Sequence, residues 1–164
     1  YYRGINDGRI LASYAVEQLK KWDTQIILVD GIGVGASPYD FLKMFGYDPI
    51  DVQSGRNADN MVKYKNKRDE MYGRLKDAMQ KGLDIERNKD NIKLKEQLEC
   101  ITYHYTPELQ LKLDKKDDLK KQGFSSPDRA DALALTFAYD IHENISGKVV
   151  ERIHSDNLLK LRKR

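Results

Sequence analysis

Cysteine is almost absent from this sequence, with Cys100 the only one in 164 residues. That excludes an internal disulfide, leaves too few thiols for a cysteine zinc site and fits a reducing compartment. No apolar run approaches the roughly 18 residues of a membrane helix, and mean hydropathy is −0.73. Proline (4) and glycine (11) are scarce while aromatics reach 9%, which excludes a low-complexity disordered chain. A strong excess of one charge is missing too. Lys and Arg number 29 against 26 Asp and Glu, a net charge of +3. Composition therefore does not mark a nucleic-acid binder, although charge segregated onto one face is compatible with one.

What is present reads as one α/β domain. The length corresponds to about one domain at roughly 150 residues each. The chain opens on a segment, residues 1–8, that looks like a strand end and a turn entered mid-fold, as in a piece of a longer protein. Leu11, Tyr14, Ala15, Leu19 and Trp22 recur at helical spacing over residues 9–22. Gln25 to Val29 is a short branched apolar run, the pattern of a buried parallel strand, and it ends in Asp30 and the glycine loop GIGVGAS. Ser37-Pro38 is expected to start a helix that stops near Gly46, and Ile50 to Gln53 a second strand. A long helix is expected over 60–81, another over 91–103, and a hairpin around Thr106-Pro107-Glu108. Residues 115–123 read as a charged loop. Ser126-Pro127 opens a last helix carrying Ala130, Leu133, Ala134, Phe137, Ala138 and Ile141 on one face. Residues 1–144 are taken as the domain and 145–164 as a polar, basic tail.

Two places can carry chemistry. Asp30 ends a strand and opens a Gly-rich turn, the position at which open α/β sheets bind ligands. The same loop also fits the dinucleotide fingerprint GxGxx(G/A), with Asp51 roughly 20 residues on. The charge of Asp30 beside a pyrophosphate argues against that reading, and a phosphate-binding P-loop fails because no Gly-Lys-Ser/Thr follows. The second place is SSPDRADAL. Asp128 lies in a helical first turn, where the macrodipole favours a carboxylate. Asp131 shares its face and borders the Ala/Leu side, where a carboxylate is costly unless paired or metal-bound. With Asp30 these two could form an oxygen-ligand site for Mg²⁺ or Mn²⁺. His104, His142, His154 and Cys100 have no partner at metal-ligand spacing and take ordinary structural roles.

Four segments in order, IILVDGIGVGASPYDFL, YKNKRDEMYGRL, LKEQLECITY and LDKKDDLKKQGFSSPDRADALALTFA, spread over residues 25–139. With them the chain resembles the carboxy-terminal nuclease domain of the large terminase subunit of tailed bacteriophages. The resemblance implies an RNase H-like mixed sheet flanked by helices, and cleavage of double-stranded DNA with two divalent ions, Mg²⁺ or Mn²⁺. Asp30 matches the family's second carboxylate and Asp128 its last, with Asp131, ranked behind Asp128, a ligand or a neighbour of one. The family's first carboxylate sits on an earlier strand. Neither Asp7 nor Asp23 matches it, so that strand is expected upstream of this sequence.

The implied partners are DNA, an amino-terminal ATPase domain, the small terminase subunit and the portal, in the host cytoplasm. Lys115, Lys116, Lys120 and Lys121 are the foremost candidates for phosphate contact, followed by Arg56, Lys67 and Arg68. Two other readings stand beside the endonuclease: a DNA-binding or assembly module of the same fold without catalysis, and a Rossmann-type dinucleotide-binding domain.

Overall fold

A computed structural model describes residues 6–31, 36–121, 123–140, 142–143 and 149–150. Helix α1 (Gly8–Trp22) starts where the Asp7 carboxylate accepts from the amides of Arg9 and Ile10, at 2.8 and 3.3 Å. It packs on α2 (Ala36–Met44), and Ala12 of α1 and Leu42 of α2 are both buried. Helix α2 begins at Ala36, so Ser37 lies inside it rather than capping it. Between the two helices, β1 (Leu28–Val29) pairs in parallel with β2 (Ile50–Asp51), Leu28 opposite Ile50 and Val29 opposite Asp51. The ladder continues one residue further at each end, from Ile50 N to Ile27 O and from Val52 N to Val29 O, both 2.8 Å. Asp30 therefore leaves the carboxyl end of a parallel pair, as the apolar run before it led us to expect.

The helix expected over 60–81 is shorter. Helix α3 is Lys67–Gln80, closed at its start by a reciprocal capping box between Asn66 and Asp69. The residues before it are claimed by another element. Lys63 and Lys65 exchange backbone hydrogen bonds with Leu111, making Tyr64 a parallel bridge to Leu111, and a chain that pairs this way cannot also be helical. Met61, inside the expected span, is 56% exposed. Gly73 lies under the Tyr64 ring, where an added Cβ would come within 2.2 Å of Cε1, so only glycine lets α3 sit this close.

Helix α4 (Lys89–Glu99) is capped by Asn88, and β3 (Tyr103–Tyr105) and β4 (Leu111–Leu113) form the expected antiparallel hairpin. Asp69 joins α3 to β4, its Oδ1 accepting from Leu113 N at 2.9 Å. The charged segment expected to be a loop contains α5 (Lys116–Lys121), which Leu119 anchors at 3% exposure. Helix α6 (Asp128–Leu135) ends before the expected Phe137 and Ala138, where the Thr136 hydroxyl turns back to Leu133 O at 2.7 Å. Ile141 lies outside the described residues, as does most of the tail. There the backbone of β5 (His142–Glu143) pairs antiparallel with β6 (Val149–Val150).

Among the described residues the strands form three separate two-stranded ladders, one parallel and two antiparallel. The expected mixed sheet is thus present as both kinds of pairing but not as one continuous ladder. The core gathers Val52, Ala58, Tyr64, Met71, Tyr72, Leu75, Leu111, Leu113, Ala130, Ala134 and Ala138. Helix α3 lies at its centre, packed on β4 and α6, and α6 in turn packs on α4.

Candidate functional site

The two segments singled out in the sequence are connected through α3 by a relay of hydrogen bonds. Asp30 is exposed at the end of β1, and its Oδ2 accepts from Ser54 Oγ at 3.1 Å. Ser54 O in turn accepts from Arg68 N at 2.9 Å. The Arg68 side chain then reaches α6, its Nε 3.4 Å from Asp131 Oδ1. Asp30 and Asp131 are thereby linked by two intermediates, Ser54 in the turn after β2 and Arg68 on α3.

Asp131 is the more heavily restrained carboxylate. Its Oδ1 also accepts from Tyr72 Oη at 2.9 Å, and its Oδ2 lies 2.6 Å from Lys116 Nζ. The Arg68 guanidinium stacks over the Tyr72 ring, 5.2 Å from the centroid. Burial, followed by the charge of Asp131, pushes the Tyr72 phenol far above its ordinary range, so it stays a hydrogen-bond donor at any physiological pH. Asp128, the first residue of α6, is exposed three positions earlier.

The first turn of α6 has an unusual support. Pro127 sits at the cap position and brings no side-chain acceptor. Gln97 of α4, only 8% exposed, supplies one instead. Its Oε1 accepts from Arg129 N and Ala130 N at 2.9 and 3.2 Å, and its Nε2 donates to Ser126 O at 3.2 Å. The sequence reading missed Gln97, Ser54 and Tyr72. Only the Asn-Lys-Arg lead-in to α3 signalled that this helix carries polar work, and nothing local marks a cap supplied from another helix.

The expected phosphate-contacting cations divide into groups. Lys115 and Lys121 are exposed, Lys121 pairing with Asp118 at 3.0 Å. Lys116 and Arg68 belong to the Asp131 cluster. Arg56 pairs with Asp59 at 3.3 Å and stacks on Tyr139. The side chain of Lys120 lies outside what the structure describes. Lys67 requires a correction. It is fully buried, with Nζ 2.8 Å from Asp59 Oδ2 and 3.1 Å from Glu70 Oε2 and the Tyr139 ring beneath it. Its charge is spent inside the fold and does not face solvent.

Asp51 does not behave as a ribose-binding acid. It accepts from Gln53, and its Oδ1 is buried against Gly31, where an added Cβ would stand 2.1 Å away. Residues 32–35 of the glycine loop lie outside the described residues. His104 is spent on Asp114 at 2.8 Å. Cys100 Sγ donates to Gln97 O at 3.1 Å, and burial pushes its thiol up.

No family model and no curated protein matches the chain. Solved structures do. A lysine-to-alanine variant of the nuclease domain of the large terminase subunit of bacterial virus Sf6, with manganese, superposes with a TM-score of 0.60 at 22% identity. The match covers 79% of this chain and 72% of that one. The chain has the fold of a large-terminase nuclease domain. The same Sf6 domain with manganese and beta-thujaplicinol gives 0.61 at 22% identity, over 80% and 72% of the two chains. With calcium it gives 0.59 at 22%, over 79% and 71%. This terminase-type fold is the RNase H-like architecture implied by the resemblance, and it sets aside the Rossmann alternative.

The residues fit a hard divalent cation in kind. Asp30 and Asp131 offer carboxylate oxygens, the donors Mg²⁺ and Mn²⁺ prefer. A cation already stands against Asp131 Oδ2 in the form of the Lys116 ammonium. They do not complete a site by number, because among the described residues no three acidic, His or Cys side chains converge on one point.

Proposed function

We propose that this chain is the metal-dependent endonuclease domain of a phage DNA-packaging terminase, cutting concatemeric double-stranded DNA at the start and end of packaging. The observation that carries the reading is the Asp30–Ser54–Arg68–Asp131 connection on a terminase-nuclease fold.

Asp30 and Asp131 would hold the metal, Mg²⁺ or Mn²⁺ and two ions in the complete site, with Asp128 flanking them at the start of α6. Divalent ions so held supply a nucleophilic water at neutral pH and charge for the leaving oxygen. The rest is the work of the chain. Ser54 orients Asp30. Tyr72 and Arg68 orient Asp131. Lys115 and Lys121 bring the phosphate backbone over the α5–α6 edge, and sequence-independent contact of this kind suits an enzyme that meets whole genomes. In the complete protein the domain would act in the host cytoplasm beside an ATPase domain, the small terminase subunit and the portal.

That no third acidic side chain converges on Asp30 and Asp131 among the described residues is the observation behind a second reading, a DNA-binding module of the same fold without catalysis. Supercoiled-plasmid cleavage with Mn²⁺, with Mg²⁺ and with EDTA separates the two. The endonuclease reading expects metal-dependent nicking that Asp30→Ala abolishes. Plasmid binding with no nicking in any metal supports the binding module instead.

A further inference from the structure

Helices α3 and α4 both pack on α6, and α3 also packs on β4. Between α3, the end of α4 and the β3–β4 hairpin lies a cavity of about 390 Å³. Its floor is Tyr72, Leu75 and Leu111, all buried, and Leu98 and Ile101 form a half-buried wall. Met79 and Tyr103, 38% and 41% exposed, stand at the mouth. The volume falls within the range of small-molecule sites, about 300–1,000 Å³, and the surface is mostly apolar, as such sites are. One charge enters the lining. Lys76 of α3 holds its ammonium 4.4 Å above the Tyr103 ring and donates to the Tyr103 hydroxyl. Those partners belong to a phenol, not to a carboxylate. The adjacent acid, Asp77, is taken by Lys63 at 3.0 Å, and no acidic residue lines the cavity. A cation at the mouth of an apolar cavity selects a molecule with an apolar body and one anionic end.

We propose that this cavity is a binding site for a small hydrophobic carboxylate, its apolar body on Leu75, Leu98 and Leu111 and its anionic group on Lys76. The site is independent of the nuclease reading, since none of these four residues belongs to the Asp30–Asp131 connection. Burial of the apolar body supplies affinity. The ammonium supplies selection, because a carboxylate takes from it a charge-assisted hydrogen bond that a neutral hydroxyl does not match. An alcohol of the same length gains the burial alone. A multiply charged ligand suits the site less, because the lining offers one cation. Three elements enclose the cavity, so it fits one compact molecule rather than the length of a docked helix or strand.

The test is an amide NMR titration of the chain with octanoate and, separately, with octan-1-ol. Wild type, Lys76→Met and Leu98→Trp are compared, with melting temperature followed in parallel. Methionine keeps an unbranched stem and loses the charge, while tryptophan fills the cavity. If Leu98→Trp melts early, Ile101→Trp fills the same space from the other end of the wall. The expected result is saturable octanoate binding that shifts the amides of α3 and of residues 98–103. Lys76→Met should weaken octanoate about tenfold, the scale of a hydrogen bond to a charged group, and leave octan-1-ol unchanged. The folded tryptophan variant should lose both ligands. No saturable shift in wild type at millimolar octanoate overturns the proposal, as does unchanged binding in a folded tryptophan variant. Octanoate affinity unaltered in Lys76→Met, or an equal loss of acid and alcohol there, overturns it too.

Discussion

Lys67 shows how far a residue's type can mislead about its work. In the sequence it is one of two adjacent cations beside a candidate site. In the fold its ammonium joins Asp59, Glu70 and the face of Tyr139, with the side chains of Lys67 and Glu70 at 0% and 1% exposure. Removing one partner of such a pair strands the other charge away from water. Lys67→Ala is therefore expected to destabilise the chain by about 3–5 kcal/mol, a loss that denaturant unfolding would register. Its neighbour Arg68 points the other way, into the Asp131 cluster. One helical step of about 100° separates a buried, ion-paired lysine from an arginine that reaches Asp131. Asp30 and Asp131 were both legible as candidates because a carboxylate at a strand end or on a buried helix edge demands a reason. Tyr72 was not, since a tyrosine at helical spacing reads as core. It is core, and its hydroxyl also donates to Asp131 Oδ1.

At the scale of elements, α6 depends on a residue outside itself. Its cap position holds Pro127, which has no side-chain acceptor, and Gln97 on α4 accepts from the amides of Arg129 and Ala130. Gln97→Ala would leave two buried-edge donors and Ser126 O without that partner. The expected cost is about 1–2 kcal/mol, seen as a fall of roughly 2–4 °C per kcal/mol in melting temperature. Nicking should weaken beyond what the loss of folded protein explains, because the same turn carries Asp131. The element boundaries the sequence reading placed too generously have a common cause. Residues 60–66 have helical spacing, but Lys63 and Lys65 give their backbone groups to Leu111, a long-range pairing that no local pattern encodes. The 115–123 segment failed in the opposite direction. Its charges resemble a loop, yet one buried Leu119 is enough to dock a helix there. The parallel β1–β2 pair and the β3–β4 hairpin were legible because an apolar run and a period-two alternation are local signals.

For the whole molecule, the small net charge of +3 conceals a division between cations spent inside and cations facing out. Lys67 belongs to the first kind and Lys115 and Lys121 to the second. Measured DNA affinity against salt should reflect that division. Lys115→Ala and Lys121→Ala are each expected to reduce the slope of log affinity against log salt by about 0.9. Lys67→Ala should leave the slope unchanged under conditions where it is folded. A slope that falls equally for all three would mean that the buried pair opens when DNA binds.

The central claim is that Asp131, linked to Asp30 through Arg68 and Ser54, belongs to a hydrolytic metal site. The most direct test is Mn²⁺-dependent nicking of supercoiled plasmid by Asp131→Ala beside Asp128→Ala and the unaltered chain. The account predicts nicking by the unaltered chain, inhibited by EDTA, and none by Asp131→Ala at a concentration where it still binds the plasmid. Asp128→Ala should retain more activity than Asp131→Ala. Nicking by Asp131→Ala at the unaltered rate would contradict the account.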